Sequence, residues 1–541
     1  MSTLGSLPRR QVIITFGGVL LAIFLGAMDQ TIVATALPDI IAELGGFAHY
    51  TLVTTAYLIA STVMIPITGR LTDMFGRKWF YTVGIAIFIV GSLLSGFSQT
   101  FDELVIFRAF QGLGAGVMIA NAFAVIGDLF APSERGKYQG FVSAVFGLAS
   151  IVGPTLGGYI TDTISWHWIF YINVPTGVAV VILFIFFFPH VRPNTENEKI
   201  DYYGAALLAL TTVPLMLALS WGGTQYPWLS PEIIGMIAFS LVAGAAFFII
   251  EVRTPQPILP LRYFTDRVIS ISLAATFLTG FGMFGAIVFV PLYFQGVLGL
   301  SATTSGSFLT PMMLGVVAGS ITSGQLLSRA GGHYKEQSIA GVATMAVGIG
   351  LLATLTTHTS YGVAVLYIVL TGLGLGVTFP LYTVVVQNAV PYRSMGVVIS
   401  SIPFSRFIGG TFGLAILGSL MTTRFANLFM EKLPSAVKDL VPADQLSSLA
   451  HNPQALVSAQ AQDSLRQVLA QFGPQAQQLF DQIILALRAS LMSALTEVFA
   501  ISLAVTLVAF VVNLFIKEIP LRRQHGPDNP PRTTSPGGTL A

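Results

Sequence analysis

QVIITFGGVLLAIFLGAMDQTIVATAL, residues 11–37, is a long apolar run with one charged side chain, Asp29. A membrane-spanning helix needs about 20 mostly apolar residues, so this run predicts such a helix. A carboxylate inside a spanning helix costs about 2.5 to 3.5 kcal/mol on insertion scales, and such residues commonly serve function, as in proton relays. The run therefore predicts a membrane protein in which Asp29 is the first candidate functional residue.

The composition agrees with this prediction. The chain of 541 residues is 54% hydrophobic and 9% charged, whereas an average soluble protein has about 25% charged residues. A net charge of +2 gives no basis for nucleic-acid binding, and 7 His without any Cys give little basis for zinc clusters, thiolate catalysis, haem or disulfides. We expect an all-α, polytopic membrane protein with no cofactor and no metal. No A-x-A cleavage site follows the first run, so we expect a retained helix and not a signal peptide.

Apolar runs of spanning length predict fourteen transmembrane helices. They lie near 12–38, 50–69, 79–99, 103–127, 137–159, 168–189, 203–221, 232–250, 268–295, 303–327, 338–357, 361–387, 396–422 and 490–516. The short loops on the side opposite the N-terminus contain no Lys or Arg, and most cations lie in segments on the N-terminal side. Basic loops stay in the cytoplasm, so both termini are expected to be cytoplasmic.

The chain also contains an internal repeat. Gly112–Val117 (GLGAGV) recurs as Gly372–Val377 (GLGLGV), and Gly136 and Gly396 continue the register in each copy. GRLTDMFGRK at 69–78 is echoed weakly by GQLLSRAGGHYK at 324–335. Parallel repeats are a known transporter plan with a substrate site at the repeat interface. We expect four parts: an N-terminal six-helix bundle in residues 1–190, two inserted helices in 191–260, a C-terminal six-helix bundle in 261–520 and a disordered cytoplasmic tail in 521–541.

The long loop 424–489 carries apolar residues at helical spacing in 455–472 and 475–489. This pattern predicts an extracellular helical hairpin whose second arm continues into the last spanning helix. A gate over the outer mouth, a docking site for a partner and an inert spacer all remain open as its role.

Three motifs carry a resemblance to a known family. GRLTDMFGRK, the R-x-x-Q-G-x-G pattern at Arg108–Gly114 and the G-P-x-x-G-G pattern at Gly153–Gly158 resemble the major facilitator superfamily. Fourteen predicted helices, MDQTIVATALPDI and WHWIFYINVP (166–175) are similar to its fourteen-span drug:proton antiporters, which are multidrug efflux transporters. The resemblance implies a major facilitator fold, antibiotic resistance as a role and a bacterial plasma membrane location. It also implies a conformational latch at Gly69, Asp73, Gly76 and Arg77, and an antiporter motif at Gly153, Pro154, Gly157 and Gly158.

Residue depth pairs the charged groups inside the predicted spans. Asp29 and Arg108 both lie in the outer half of the membrane at similar levels, counted at about 1.5 Å per helical residue. A direct or water-bridged Asp29–Arg108 contact is therefore expected. Arg406 and Glu497 lie at matching depths and form a second predicted pair, so all four are candidate proton-coupling residues. Asp128, at the cytoplasmic end of its helix, is expected to pair with Arg135 or Lys137.

Polar and aromatic residues on the predicted cavity-lining helices are candidates for substrate binding, because aromatic faces suit planar or cationic lipophilic ligands. Most of the 40 Phe are instead expected to face lipid or to pack. The candidates are Gln30, Tyr57, Gln111, Met118, Asn121, Phe281, Phe284, Tyr293, Phe379 and Gln387, together with Gln295, Tyr382 and Asn388.

Two functional hypotheses follow. The first is a proton-coupled antiporter that exports lipophilic or cationic drugs by alternating access. The second keeps proton coupling but has lipids or cell-envelope precursors as cargo. An enzyme or an ATP-driven pump is disfavoured, because the spans contain no nucleophile–base pair and the chain contains no P-loop. We expect small molecules, protons and membrane lipids as partners, no nucleic acid, and a monomer.

Overall fold

The structure is a computed structural model. It describes residues 8–44, 52–189, 199–299, 302–329, 333–391, 394–442, 446–447, 449, 456, 459–518 and 520. The predicted tail 521–541 lies outside the described residues.

The described residues form fourteen long α-helices, named here α1 to α14. Their bounds are α1 Arg9–Leu44, α2 Leu52–Phe75, α3 Arg77–Phe97, α4 Phe101–Leu129, α5 Pro132–Thr163, α6 Asn173–Phe187, α7 Tyr202–Trp221, α8 Pro231–Arg253, α9 Arg267–Leu292, α10 Ala302–Arg329, α11 Tyr334–Leu352, α12 Tyr361–Ala389, α13 Met395–Lys432 and α14 Ala476–Leu514. A short helix, Trp168–Tyr171, precedes α6. We call the end of the bundle at which α1 begins the near end, and the opposite end the far end.

Twelve helices in the described part of the chain are long and apolar enough to cross a membrane, namely α1 to α9 and α12 to α14. The other two differ in composition: α10 is rich in Thr, Ser and Gly, and α11 has 19 residues and begins with polar side chains. Length and composition therefore confirm a multi-pass, all-helical protein but leave the count of fourteen spans unconfirmed.

The glycine-rich repeat packs identically in both halves. In α4, the first and third glycines of Gly112–Gly116 meet the backbone of α2, and the middle one meets α3. In α12, the first and third glycines of Gly372–Gly376 meet the backbone of α10, and the middle one meets α11. Since any side chain there would collide with a neighbouring backbone, the glycines permit close helix approach. The helices α2, α3 and α4 thus correspond to α10, α11 and α12.

Two glycine pairs join the halves at the near end. Gly69 of α2 lies against Gly396 of α13, and Gly136 of α5 lies against Gly324 of α10. At each position an added Cβ would come within 2.8 Å of the opposing carbonyl oxygen. These are the positions that the sequence repeat relates to one another, so the two contacts are copies of one arrangement.

The helices α7 and α8 pack on each other, with Ser240 Oγ donating to Thr211 O at 2.6 Å. They lie beside the α2–α13 contact. The Thr55 and Ser220 hydroxyls are 3.4 Å apart, and Trp228 Nε1 donates to Ser419 Oγ of α13 at 2.8 Å.

The loop between α13 and α14 is shorter than the predicted 424–489. Residues 424–432 continue α13 and residues 476–489 begin α14. The reason is burial, because Phe425 and Phe429 of α13 and Ile483 and Leu487 of α14 share one apolar core. Between these helices lie the short helices Ser435–Leu440 and Ala459–Leu469 and a turn at Gly473, where φ is 59°. Val437, Leu456 and Leu469 join the same core, so the loop packs on the far end of the C-terminal helices.

Candidate functional site: a buried charged network

The helices α1 and α4 bring Asp29 and Arg108 together. Thr100 caps the start of α4: Glu103 N donates to Thr100 Oγ1 at 3.3 Å, and Gln99 N, one residue before the cap, donates to Glu103 Oε2 at 2.9 Å. Arg108 follows about 10 Å inside the far end of α4. Its Nη1 donates to Asp29 Oδ2 at 2.7 Å, and the two side chains are 1% and 0% exposed. The predicted Asp29–Arg108 contact is present and direct.

Two amides complete the coordination of Asp29. Gln111 Nε2 donates to Asp29 Oδ1 at 2.9 Å, and Gln111 Oε1 accepts from Arg108 Nη1 at 2.6 Å. Asn173 Nδ2, at the start of α6, donates to Asp29 Oδ1 at 2.8 Å and lies 3.0 Å from Ser92 Oγ of α3. Ser92 Oγ in turn donates to Phe170 O at 2.9 Å. One carboxylate thus links α1, α3, α4 and α6.

Aromatic rings cover the guanidinium. Arg108 Cζ lies 4.2 Å from the centre of the Tyr57 ring and 5.7 Å from that of Phe170. Tyr57 is itself fully buried. A charge pair inside low-dielectric surroundings is stable only while it stays paired and hydrogen-bonded, so a change in the charge of Asp29 strongly disturbs Arg108.

The G-P-x-x-G-G motif of α5 packs against α1 beside Asp29. An added Cβ at Gly153 would collide with Thr31 Oγ1 and lie 3.2 Å from Met28 O, and one at Gly157 would meet Thr35 and Ile32. Pro154 lies in α5 between these glycines. Gly158 differs, because no atom lies within 4 Å of the Cβ it lacks. Gly153 and Gly157 therefore fix the α1–α5 distance at the level of the charged network.

The predicted latch lies at the near end. Asp73 Oδ1 accepts from Gly396 N and Asp73 Oδ2 from Val397 N, both at 3.0 Å, so the carboxylate caps the first turn of α13. Arg77 Nη2 holds Asp73 Oδ1 at 2.9 Å. Gly76, between α2 and α3, has a φ of 90°, which favours glycine. Gly69 provides the close α2–α13 approach described above.

The repeat supplies a neutral counterpart of this latch. Lys137 N of α5 donates to Ser328 Oγ of α10 at 3.2 Å. Ser328 corresponds to Asp73 and Lys137 corresponds to Val397 in the repeat alignment. Each half thus caps a helix of the other half, but only one cap is charged.

The prediction that Asp128 pairs with Arg135 or Lys137 is wrong. Asp128 Oδ2 accepts from Arg77 Nε at 2.5 Å. Arg135 instead donates to the carbonyl groups of Phe130 and Gly127 at 3.1 and 2.6 Å. The last carbonyl groups of α4 lack helical partners, and this cation satisfies them.

Comparison with known proteins identifies the family. The family profile described as Major Facilitator Superfamily matches residues 19–414. The chain belongs to the major facilitator superfamily. Because this family consists of transporters, the predictions of a multi-pass transporter and against an enzyme are confirmed.

Two curated relatives come from Bacillus subtilis (strain 168). Multidrug transporter protein MdtP is 40% identical over 98% of this chain and 97% of its own. Multidrug resistance protein 3 is 37% identical over 92% of this chain and 94% of its own.

Two solved major facilitator structures share the fold. The human organic anion transporter MFSD10 (TETRAN) matches with a TM-score of 0.59 and 13% identity, covering 92% of this chain and 100% of its own. The proton:xylose symporter XylE matches with a TM-score of 0.55 and 14% identity, covering 83% of this chain and 94% of its own. At these identities the likeness shows the fold alone.

The predicted Arg406–Glu497 pair is wrong. Glu497 Oε2 accepts from Arg424 Nε at 2.7 Å, and these side chains are 37% and 51% exposed. Arg406 is 7% exposed, and its Cζ lies 3.9 Å from the centre of the Phe379 ring. The pairing fails because α13 continues far beyond its predicted end and brings Arg424 to Glu497.

The predicted substrate-binding residues fall into three groups: members of the Asp29 network, residues hydrogen-bonded elsewhere, and the remaining buried or partly exposed residues. Tyr57 and Gln111 belong to the Asp29 network. Tyr293 is fully buried and donates to Thr356 O at 3.0 Å, and Gln387 Nε2 of α12 donates across the halves to Phe123 O at 3.2 Å. Tyr382 donates to Asn513 Oδ1 at 2.8 Å, and Asn388 donates to Pro520 O at 3.1 Å. The remaining residues are buried Met118, Asn121 and Phe281, and partly exposed Gln30, Phe284, Gln295 and Phe379.

Sequence reasoning missed Asn173 and Ser92. Asn173 stands in WHWIFYINVP, a segment recognised only as a family feature. The sequence did contain a clue to its role, because Asn173 is an amide a few residues inside a predicted span, at the depth already assigned to Asp29 and Arg108.

Proposed function

We propose that this chain is a proton-coupled antiporter that exports lipophilic or cationic drugs across a bacterial plasma membrane by alternating access. The observation that carries the proposal is the buried network in which Asp29 accepts from Arg108, Gln111 and Asn173. Two relatives that are named multidrug proteins and match nearly the whole chain support the cargo class.

The network suits a proton carrier. The carboxylate of Asp29 is held by the Arg108 guanidinium and by the amide groups of Gln111 and Asn173. A proton on Asp29 would remove the partner charge of Arg108 and leave that guanidinium to Gln111 and the Tyr57 ring. The Gly153 contact would transmit a shift of α1 to α5, which also carries Gly136 at the near-end contact between the halves.

The near-end contacts support a state that is closed on one side. Asp73, Gly69 and Gly136 tie the halves together there. We assign the near end to the cytoplasm because basic residues such as Arg77 and Lys78 lie at it. In this assignment the cytoplasmic end is closed, and Asp29 receives its proton from the outside.

The proposal includes fourteen spans of the fourteen-span drug:proton antiporter subfamily. The helices α10 and α11 pack along α12 as α2 and α3 pack along α4, and Ser320 Oγ of α10 donates to Gly376 O at 2.8 Å. Because α10 and α11 occupy in the C-terminal half the places that the spanning helices α2 and α3 occupy in the N-terminal half, we assign α10 and α11 as spans. The predicted division at 1–190, 191–260 and 261–520 is part of the same proposal.

The test uses proteoliposomes with an imposed pH gradient and ethidium as the cargo. Wild type should move ethidium when the gradient is applied, and Asp29→Asn should not. Glu497→Gln is the matched control, because Glu497 is half-exposed in a surface ion pair, and it should transport as wild type does. Gradient-independent movement by wild type, or unchanged coupling in Asp29→Asn, would refute the proposal.

A further inference from the structure

The guanidinium of Arg406 is buried inside the C-terminal helices. Arg406 lies about 16 Å along α13 from the near end, at 1.5 Å per residue, and 7% of the residue is exposed. Its Nε and Nη2 atoms have no hydrogen-bond partner among the described residues. Arg406 thus resembles Arg108 in burial, but no carboxylate in the described part of the chain contacts it as Asp29 contacts Arg108.

An aromatic ring of α12 lies against the guanidinium of Arg406, and α9 packs against its backbone. Arg406 Cζ stacks 3.9 Å from the centre of the Phe379 ring of α12. An added Cβ at Gly280 of α9 would meet the backbone of Arg406, so α9 closes one side. Tyr382 directs its hydroxyl to Asn513 at 2.8 Å and not to Arg406.

Glu497 and Asp73 form ion pairs with other cations and do not pair with Arg406. Glu497 binds Arg424, which lies about 27 Å farther along α13 than Arg406. Asp73 caps α13 about 15 Å toward the near end and is held by Arg77. A charge buried without a partner is strongly unfavourable in a protein interior, and charged residues inside spans usually mark substrate or ion pathways.

We propose that Arg406 binds the acidic group of a lipophilic substrate, so that the transporter accepts lipophilic compounds carrying a carboxylate or another oxyanion. The partly exposed Phe379 ring lies against the guanidinium and offers an apolar surface for the body of such a compound. Guanidinium groups suit oxyanions because they present a planar set of donors. This inference rests on the transporter function proposed above and adds lipophilic acids to its substrate class.

The test compares one fluorescent acid with its uncharged analogue. Binding of 11-(dansylamino)undecanoic acid and of its primary amide is measured by dansyl fluorescence on purified protein in a neutral detergent. Wild type should bind the acid at least tenfold more tightly than the amide. Arg406→Met should lose this preference by weakening the acid alone, and Arg406→Lys should keep part of it. Arg424→Met is the matched control, since it removes an exposed arginine of the same helix, and it should leave the preference intact.

Equal binding of acid and amide to wild type would overturn the inference, as would equal weakening of both ligands by Arg406→Met. If Arg406→Met does not fold, the wild-type comparison and Arg406→Lys still decide. An anionic lipid headgroup offers the same chemistry as a free acid. Competition by phosphatidylglycerol added to the detergent, absent with phosphatidylcholine, would support the oxyanion site with a lipid as its source.

Ethidium transport separates this inference from the proposed function. If wild type moves ethidium with the pH gradient but shows no preference for the acid, the Arg406 inference fails alone. If the acid preference is present and depends on Arg406 but no cargo follows the gradient, the proposed proton coupling fails and the binding site stands.

Discussion

Removing the charge of Asp73 should open the near end of the bundle. The Asp73 carboxylate accepts from Gly396 N and Val397 N at 3.0 Å each, across the contact between the halves. Hydrogen bonds to charged groups contribute about 1.5 to 3 kcal/mol each. Asn in this place keeps one neutral acceptor and turns its NH₂ group toward the other donor. We expect Asp73→Asn to lose about 2 kcal/mol of closed-state stability, or about 30-fold in the open population.

Cysteine labelling measures that population directly. The chain contains no Cys, so Ser400→Cys provides a single thiol. Ser400 is fully buried, and its Oγ lies against Gly69 at the α2–α13 contact. In membrane vesicles, N-ethylmaleimide should label this thiol about 30 times faster when Asp73→Asn is added to the same background.

The repeat offers a graded control. Ser328→Ala removes the neutral counterpart of the latch, the 3.2 Å contact to Lys137 N. A neutral hydrogen bond contributes about 1 kcal/mol, so we expect labelling to rise only about fivefold. Labelling of Asp73→Asn within twofold of the Ser400→Cys background would refute the latch argument.

Three further changes test the site. The methyl group of Gly153→Ala should collide with Thr31 and lower the free energy of unfolding by about 1 to 3 kcal/mol, read as a lower melting temperature. Gly158→Ala is the control, because no atom lies within 4 Å of the added carbon, and it should leave the melting temperature unchanged. Equal effects of the two changes would refute the α1–α5 packing argument. Asn173→Ala removes a donor to a buried carboxylate and should lower the free energy of unfolding by about 1.5 to 3 kcal/mol, read as a thermal shift. Glu497→Gln breaks an exposed ion pair and should change the free energy of unfolding by at most about 1 kcal/mol; a larger loss would mean that Glu497 has a buried role.

The sequence predicted the helices and the repeat well, because apolar runs and close-packing glycines carry strong local signals. Depth along α1 and α4 also placed Asp29 beside Arg108. The same argument failed for Arg406 and Glu497. It assumed that α13 ends near 422, and it did not include the apolar residues 425 and 429, which extend the helix to Lys432.

Other contacts depend on which helices become neighbours, which residue spacing does not show. Asp128 is close in sequence to Arg135, yet Arg77 reaches it from the start of α3, while Arg135 satisfies the end of α4. Asn173 joins Asp29 only because α6 packs beside α1 and α3. Residue types near one depth were predictable, and their pairing was not.

The most direct test of the account follows protons and cargo in the same vesicles. Proteoliposomes contain the pH indicator pyranine in their lumen, ethidium is added outside, and the lumen pH and ethidium uptake are recorded together. The account predicts that wild type moves protons against ethidium, whereas Asp29→Asn takes up no ethidium and moves no protons in response to it. Ethidium-dependent proton movement by Asp29→Asn equal to that of wild type would contradict the assignment of Asp29 as the proton carrier.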